Sequence, residues 1–290
     1  MLKKPLVRIV TDSSARIPSD WAMEHNVTVL PNIVSLQGQS IREDVDMGAS
    51  EFARRVLQAS QPFTVTPPSI EDFSAAYRQA AAAKMDVISL HASAAMSEAQ
   101  RNAKIARDVV SGRCNVHVVD TRTLAMGLHK LVQAAVEMAE RGLGADEIVK
   151  HLRGLIQGIY AIYSSDDMSY LQNSGRLRPA QAWLGRMLEI IPCLTMEEGD
   201  LVAVEKVRSP DRALEKLAEF ACEFDPGADY AIVQLDPNPG ARSQALIEVL
   251  KPSLKKADSI PVMTCGALVG RIIGRTGIGI MIYEGNAQSL

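Results

Sequence analysis

Three short apolar runs in the first half of the chain end in hydroxyl or acidic side chains. Residues 6–10 run into Thr11-Asp12-Ser13, residues 87–90 into a loop carrying Ser93 and Ser97, and residues 115–119 into Asp120-Thr121. Stretches with helical spacing separate and follow them, over residues 50–59, 70–83, 123–141 and 146–157, and along the stripe Ala99, Ala103, Ala106 and Val110. Strands alternating with helices specify a parallel or mostly parallel α/β sheet. In such sheets ligands sit outside the carboxyl ends of the strands, where these polar residues fall.

Residues 87–103 focus that expectation. A buried strand that passes through serines into a helix start brings hydroxyls and unpaired backbone N–H groups to one point, and the helix dipole adds positive potential there. A phosphate or carboxylate is the natural guest. The same residues also fit a capping box, with Ser97 at the N-cap and Gln100 three residues later. Upstream, Pro67-Pro68 disfavour helix in the residues before them, so residues 64–66 are expected to be extended and stiff, as a hinge or a binding edge. The acidic run Glu43-Asp44-Val45-Asp46 reads as a solvated loop with helix-start charges.

The second half changes character. Residues 190–194 and 201–207 flank Glu197-Glu198-Gly199-Asp200, a hairpin turn. Helices near residues 210–223 and 242–254 bracket a strand at 230–235, and the chain closes with strands at 260–265 and 278–283 around a short helix from Gly266. Hairpins mixed with helices indicate a separate α+β domain, and a chain of 290 residues suits two domains. We divide it into residues 1–157, an α/β domain, and residues 158–290, an α+β domain.

Several function classes are disfavoured. A net charge of −3 gives no basic footprint for nucleic acid or an anionic membrane. Four scattered cysteines without a C-x-x-C pair, and five histidines without ligand spacing, argue against zinc, disulfides or another metal site and fit a reducing cytoplasm. There is no signal-peptide pattern at the N-terminus and no apolar run of membrane-spanning length. For an enzyme acting on a small anionic substrate, the G-x-S-x-G, H-E-x-x-H and G-x-x-x-x-G-K signatures are missing. No cofactor is expected.

The order of motifs resembles the DegV family of fatty-acid-binding proteins over nearly the whole chain. Thr11-Asp12-Ser13 resembles that family's T-D-S, and Val65-Thr66-Pro67-Pro68-Ser69 its T-S-Q-P-S loop. Residues 93–103 resemble S-S-x-L-S-G-T-Y-x-x-A, with Ser97 matching the serine before the glycine. Val118-Val119-Asp120-Thr121 resembles V-V-D-S, residues 171–177 resemble Y-L-x-x-G-G-R-I, Lys206-Val207-Arg208 resembles K-x-R, and residues 275–279 resemble H-x-G-P-G. The resemblance implies a two-domain fold, an N-terminal α/β layered sheet domain and a C-terminal α+β domain with a mixed sheet. It implies a carrier rather than a catalyst, with a buried long-chain fatty acid as ligand and a separate fatty acid kinase as partner.

Carried over position by position, it assigns the ligand to Ser97, Ser93, Val65, Thr66, Arg275 and Thr276. It also places Arg176 and Arg208 near the headgroup or the kinase-facing edge, although either arginine can equally pair with Asp166, Asp167 or Glu205. Three segments depart from the pattern, the last of them also carrying Ile278 in place of the family's proline. Val65 replaces a threonine, Glu98-Ala99 replace Gly-Thr, and Arg275 replaces a histidine with a side chain able to grip a carboxylate through two parallel hydrogen bonds. A sensor or interaction protein that does not depend on lipid is the other reading these changes leave open.

Overall fold

Burial along almost the whole of residues 86–91 requires that segment to lie inside a sheet covered on both faces. The computed structural model, which describes residues 7–165, 167–175 and 190–285, places it there. In chain order the first half comprises β1 (Val7–Asp12), α1 (Ser19–Glu24), β2 (Thr28–Leu30), β3 (Ile33–Leu36), β4 (Gln39–Arg42), α2 (Ala49–Gln58) and β5 (Thr64–Thr66). It continues with α3 (Ile70–Ala82), β6 (Asp86–His91), α4 (Ala99–Val109), β7 (Val116–Asp120), α5 (Ala125–Glu140) and α6 (Ala145–Ile156).

The parallel sheet has the order β2-β1-β6-β7. Its register pairs Val10 with Ser89 and His91 with Asp120, so Asp12, His91 and Asp120 stand level at the carboxyl edge. Helices α3 and α4 cover one face through Phe73, Tyr77, Ala99, Ala103 and Ala106. Helices α5 and α6 cover the other with Leu128, Leu131, Ile148 and Leu152. Of the expected helices, α3 starts at a capping box between Ser69 and Asp72.

The second half comprises β8 (Ile159–Ser164), α7 (Met168–Asn173), β9 (Ile191–Glu197), β10 (Asp200–Val207), α8 (Pro210–Ala221) and β11 (Asp229–Gln234). It ends with α9 (Ala241–Leu250), β12 (Val262–Thr264), α10 (Gly266–Ile273) and β13 (Ile278–Tyr283). Its mixed sheet runs β10-β9-β8-β13-β11-β12, antiparallel except for the β11–β12 pair. Side chains alternate across β8. Ala161 and Tyr163 join the core shared with the first half, whereas Ile162 faces the core under α8 and α9. The expected hairpin forms, with Glu198 and Gly199 both at positive φ.

Two expectations are corrected. The acidic run is a solvated turn only in part: Asp44, Val45 and Asp46 are exposed, but Glu43, which follows β4 of a small antiparallel sheet β4-β3-β5, is 6% exposed. Donors from distant segments surround its carboxylate and replace water. Ser97 and Gln100 form no capping box. The loop turns tightly, with the Met96 and Ser97 N–H groups both bonded to the Ser93 carbonyl, so α4 begins one residue later with Glu98 as N-cap. Among the described residues, no helix is long and apolar enough to cross a membrane, and no group of three His, Cys, Asp or Glu stands ready to hold a metal ion.

Candidate ligand-binding site

Where β6 ends, three backbone bonds wind residues 92–98 into a tight loop. The Ser93 N–H donates to Thr123 O, and Met96 N–H and Ser97 N–H donate to Ser93 O, at 2.9–3.0 Å. The wrap aims the two serines at different tasks. Ser93 is buried, and its hydroxyl donates to the Gly199 carbonyl at the tip of the β9–β10 hairpin, beside an Arg122–Glu198 ion pair. It ties the two halves together and leaves no donor for a ligand. Ser97, 6% exposed, accepts the Ala99 N–H at 3.2 Å and keeps its own O–H to give. Glu98 points to solvent, so its charge complements the helix start without facing the loop interior.

Strand alternation decides the proline-rich loop. Val65 packs against the shared core while Thr64 and Thr66 are exposed on the opposite side of β5. Neither threonine turns inward to replace the missing hydroxyl. Arg275 donates through Nε and Nη2 to Asp167 at 3.1–3.2 Å and through Nη1 to the Ala59 carbonyl at 3.3 Å, with its guanidinium over the Tyr170 ring. Thr276 is exposed and its carbonyl accepts from Arg242. Arg208 is exposed at the end of β10 remote from the hairpin tip, roughly 25 Å of strand away from Ser93. Arg176 lies outside the described residues, as does Asp166. Val65 and Arg275 therefore border the shared core, Ser97 is buried in the loop, and Arg208 lies far along β10 from the hairpin tip that meets Ser93.

Other residues at the site are absent from the motif reading. Helix α10 is apolar and largely buried apart from Arg271, whose Nη2 donates to the Met96 carbonyl at 3.4 Å and so reaches the Ser97 loop. A lone arginine in an otherwise apolar helix is a signal the sequence does carry. Tyr163 and Tyr170, 1% and 2% exposed, enter the same core from β8 and α7. Burial raises both phenols; at Tyr170 the nearby Arg275 partly offsets this and Asp167 adds to it, so both remain O–H donors at neutral pH. Burial likewise pushes the neighbouring Cys265 thiol up to about 12, so it is neutral.

Beneath the loop lies a closed polar chain. His91 Nδ1 meets Asp12 at 2.7 Å, its Nε2 meets Ser89 Oγ at 2.7 Å, and Ser89 accepts the Tyr77 hydroxyl at 2.7 Å. Those spacings are those of an Asp-His-Ser triad. All four side chains are sealed from solvent, and the Tyr77 hydroxyl takes up the Ser89 oxygen as its acceptor.

A family model described as uncharacterised proteins of the DegV family matches residues 6–285. A DegV domain-containing protein of Streptomyces coelicolor is 32% identical over 277 residues, spanning 95% of this chain and 98% of its own length. Among solved structures, a fatty-acid-binding DegV family protein from Thermus thermophilus superposes with a TM-score of 0.81 at 28% identity, covering 96% of this chain and 99% of its own. A Thermotoga maritima protein described as revealing fatty acid binding function does so with 0.75 at 25% identity, over 96% and 98%.

Proposed function

The chain belongs to the DegV family, and from that footing we propose that it holds a long-chain fatty acid in the core between its two sheets, with the carboxylate at the Ser97 loop. The observation that carries this reading is the geometry of Ser97. It is a buried hydroxyl with its proton free to donate, at a helix start, beside an arginine that reaches the same loop from the other half of the molecule. The Thermus and Thermotoga structures support the ligand class. Arg275 meets the ligand only by exchanging its Asp167 partner, and Thr66 stands outside. The division near residues 157 and 158, a cytoplasmic location, and presentation of the carboxylate to a fatty acid kinase belong to the same proposal.

A carrier fits better than a catalyst. The Asp12-His91-Ser89 array, which has catalytic spacing, is fully buried, with Tyr77 hydrogen-bonded to its serine, and so does not meet a substrate in this structure. Loss of one carboxylate hydrogen bond predicts that Ser97→Ala weakens palmitate or oleate binding by about tenfold. Arg275→Ala costs less, and Thr66→Ala leaves affinity unchanged. Titration of delipidated protein checks this order; equal affinities for wild type and Ser97→Ala remove the headgroup from this loop.

A further inference from the structure

Two buried hydroxyls in the shared core are left without a partner among the described residues, those of Tyr163 and Tyr170. Each unmade hydrogen bond costs a fold about 1–3 kcal/mol, and buried tyrosines ordinarily find an acceptor. Tyr77 finds Ser89, and Tyr230 finds the carbonyls of Ala221 and Asp225. The two exceptions flank one element. Tyr163 lies beside Cys265 at the start of α10, and Tyr170 packs edge-on against Phe63, which in turn contacts α10 at Gly270. Helix α10 is also the one whose Arg271 reaches the Ser97 loop. A third orphan, Ser164, is buried next along β8 and faces the opposite core with Ile162, so it does not join them.

We propose that the Tyr163 and Tyr170 hydroxyls donate to oxygen atoms of the bound ligand, which makes them ligand-selecting residues of the site beside α10. This rests on the fatty-acid reading above and extends it. A ligand seated there brings an acceptor to these donors. The acceptor is the carboxylate itself or an oxygen carried on the acyl chain. A purely hydrocarbon surface at these positions leaves both hydroxyls unsatisfied.

The test uses delipidated wild type, Tyr163→Phe, Tyr170→Phe and the double variant. Melting temperature is read without ligand, and affinity is read for stearic acid and for a hydroxystearic acid. The melting temperature of the ligand-free Phe variants is expected to stay the same or rise, because no protein bond is removed. Affinity is expected to fall about three- to tenfold per hydroxyl. A loss already present with stearic acid assigns the donors to the carboxylate, and a loss confined to the hydroxy acid assigns them to a chain oxygen. Phe variants that bind both acids as tightly as wild type overturn the proposal alone. So does a ligand-free melting temperature that falls, since the hydroxyl then bonds within the protein. Wild-type protein that binds neither acid overturns the fatty-acid reading and this assignment with it.

Discussion

Glu43→Ala destabilises the protein by about 3–5 kcal/mol, the cost of stripping one partner from a buried, hydrogen-bonded charge pair. The Glu43 carboxylate accepts from Ser13 Oγ at 2.6 Å, Asn32 Nδ2 at 3.0 Å, Arg16 Nη1 at 3.1 Å and the Ala267 N–H at 2.7 Å. The first three lie in the parallel-sheet half, and the fourth is an otherwise unpaired donor in the first turn of α10. Removing the carboxylate leaves Arg16, whose side chain is 7% exposed, with Asp44 as its remaining counter-charge. It also uncouples α10 from the first half, so ligand affinity falls with stability. Glu43→Gln recovers only part of the loss, because its amide N–H₂ must face donors on one side. Urea unfolding checks the magnitude; a loss under about 1 kcal/mol would mean that the carboxylate does not join the halves.

Gly279→Ala is expected to cost about 3 kcal/mol, the upper end of the range for an overfilled core. A methyl group at Gly279 would overlap the Tyr163 ring and stand 2.8 Å from the Ile162 carbonyl oxygen on the paired strand β8. The ring can give way; the carbonyl, fixed in the sheet, cannot. The mutation therefore pushes Tyr163 from its place in the shared core and weakens ligand binding as well. In a Tyr163→Leu background the same substitution costs less, and the difference between the two unfolding measurements gives the coupling. Additive effects would show that the glycine is not there to seat the tyrosine.

That glycine illustrates what the sequence could and could not convey. As part of Arg275-Thr276-Gly277-Ile278-Gly279 it read as a family motif, whereas its physical task is to accept a ring from residue 163. Local signals specify local structure. The strand–helix alternation, the extended residues 64–66, the hairpin at Glu198-Gly199 and the strand at residues 278–283 all follow from turn chemistry and periodicity. Errors arose where a distant partner decides the outcome. Glu43 looks solvated until the Ala267 N–H, from the far half of the chain, is placed against it. That the Ser93 hydroxyl meets the Gly199 carbonyl is likewise decided by the far half of the chain. His91 and Ser89 form part of a buried strand, and only the parallel pairing with β1 brings Asp12 to them.

The site was half legible for the same reason. Ser97, the residue we propose for the carboxylate, stands out by its place between a strand and a helix, which local sequence determines. Arg271 and the two tyrosines reach the site from α10, β8 and α7, and their convergence depends on how the second sheet packs against the first. The replacement of a family threonine by Val65 gains a structural meaning too. With Thr64 and Thr66 on the outer face, the inward position of β5 is apolar, and donors to the ligand must come from elsewhere.

The most direct test of the account is mass spectrometry of the purified protein, extracted after denaturation. The account predicts release of a long-chain fatty acid in near-stoichiometric amount from wild type and a lower yield from Ser97→Ala. Wild-type protein that releases no fatty acid, and after delipidation fails to take up added palmitate or oleate, would contradict it.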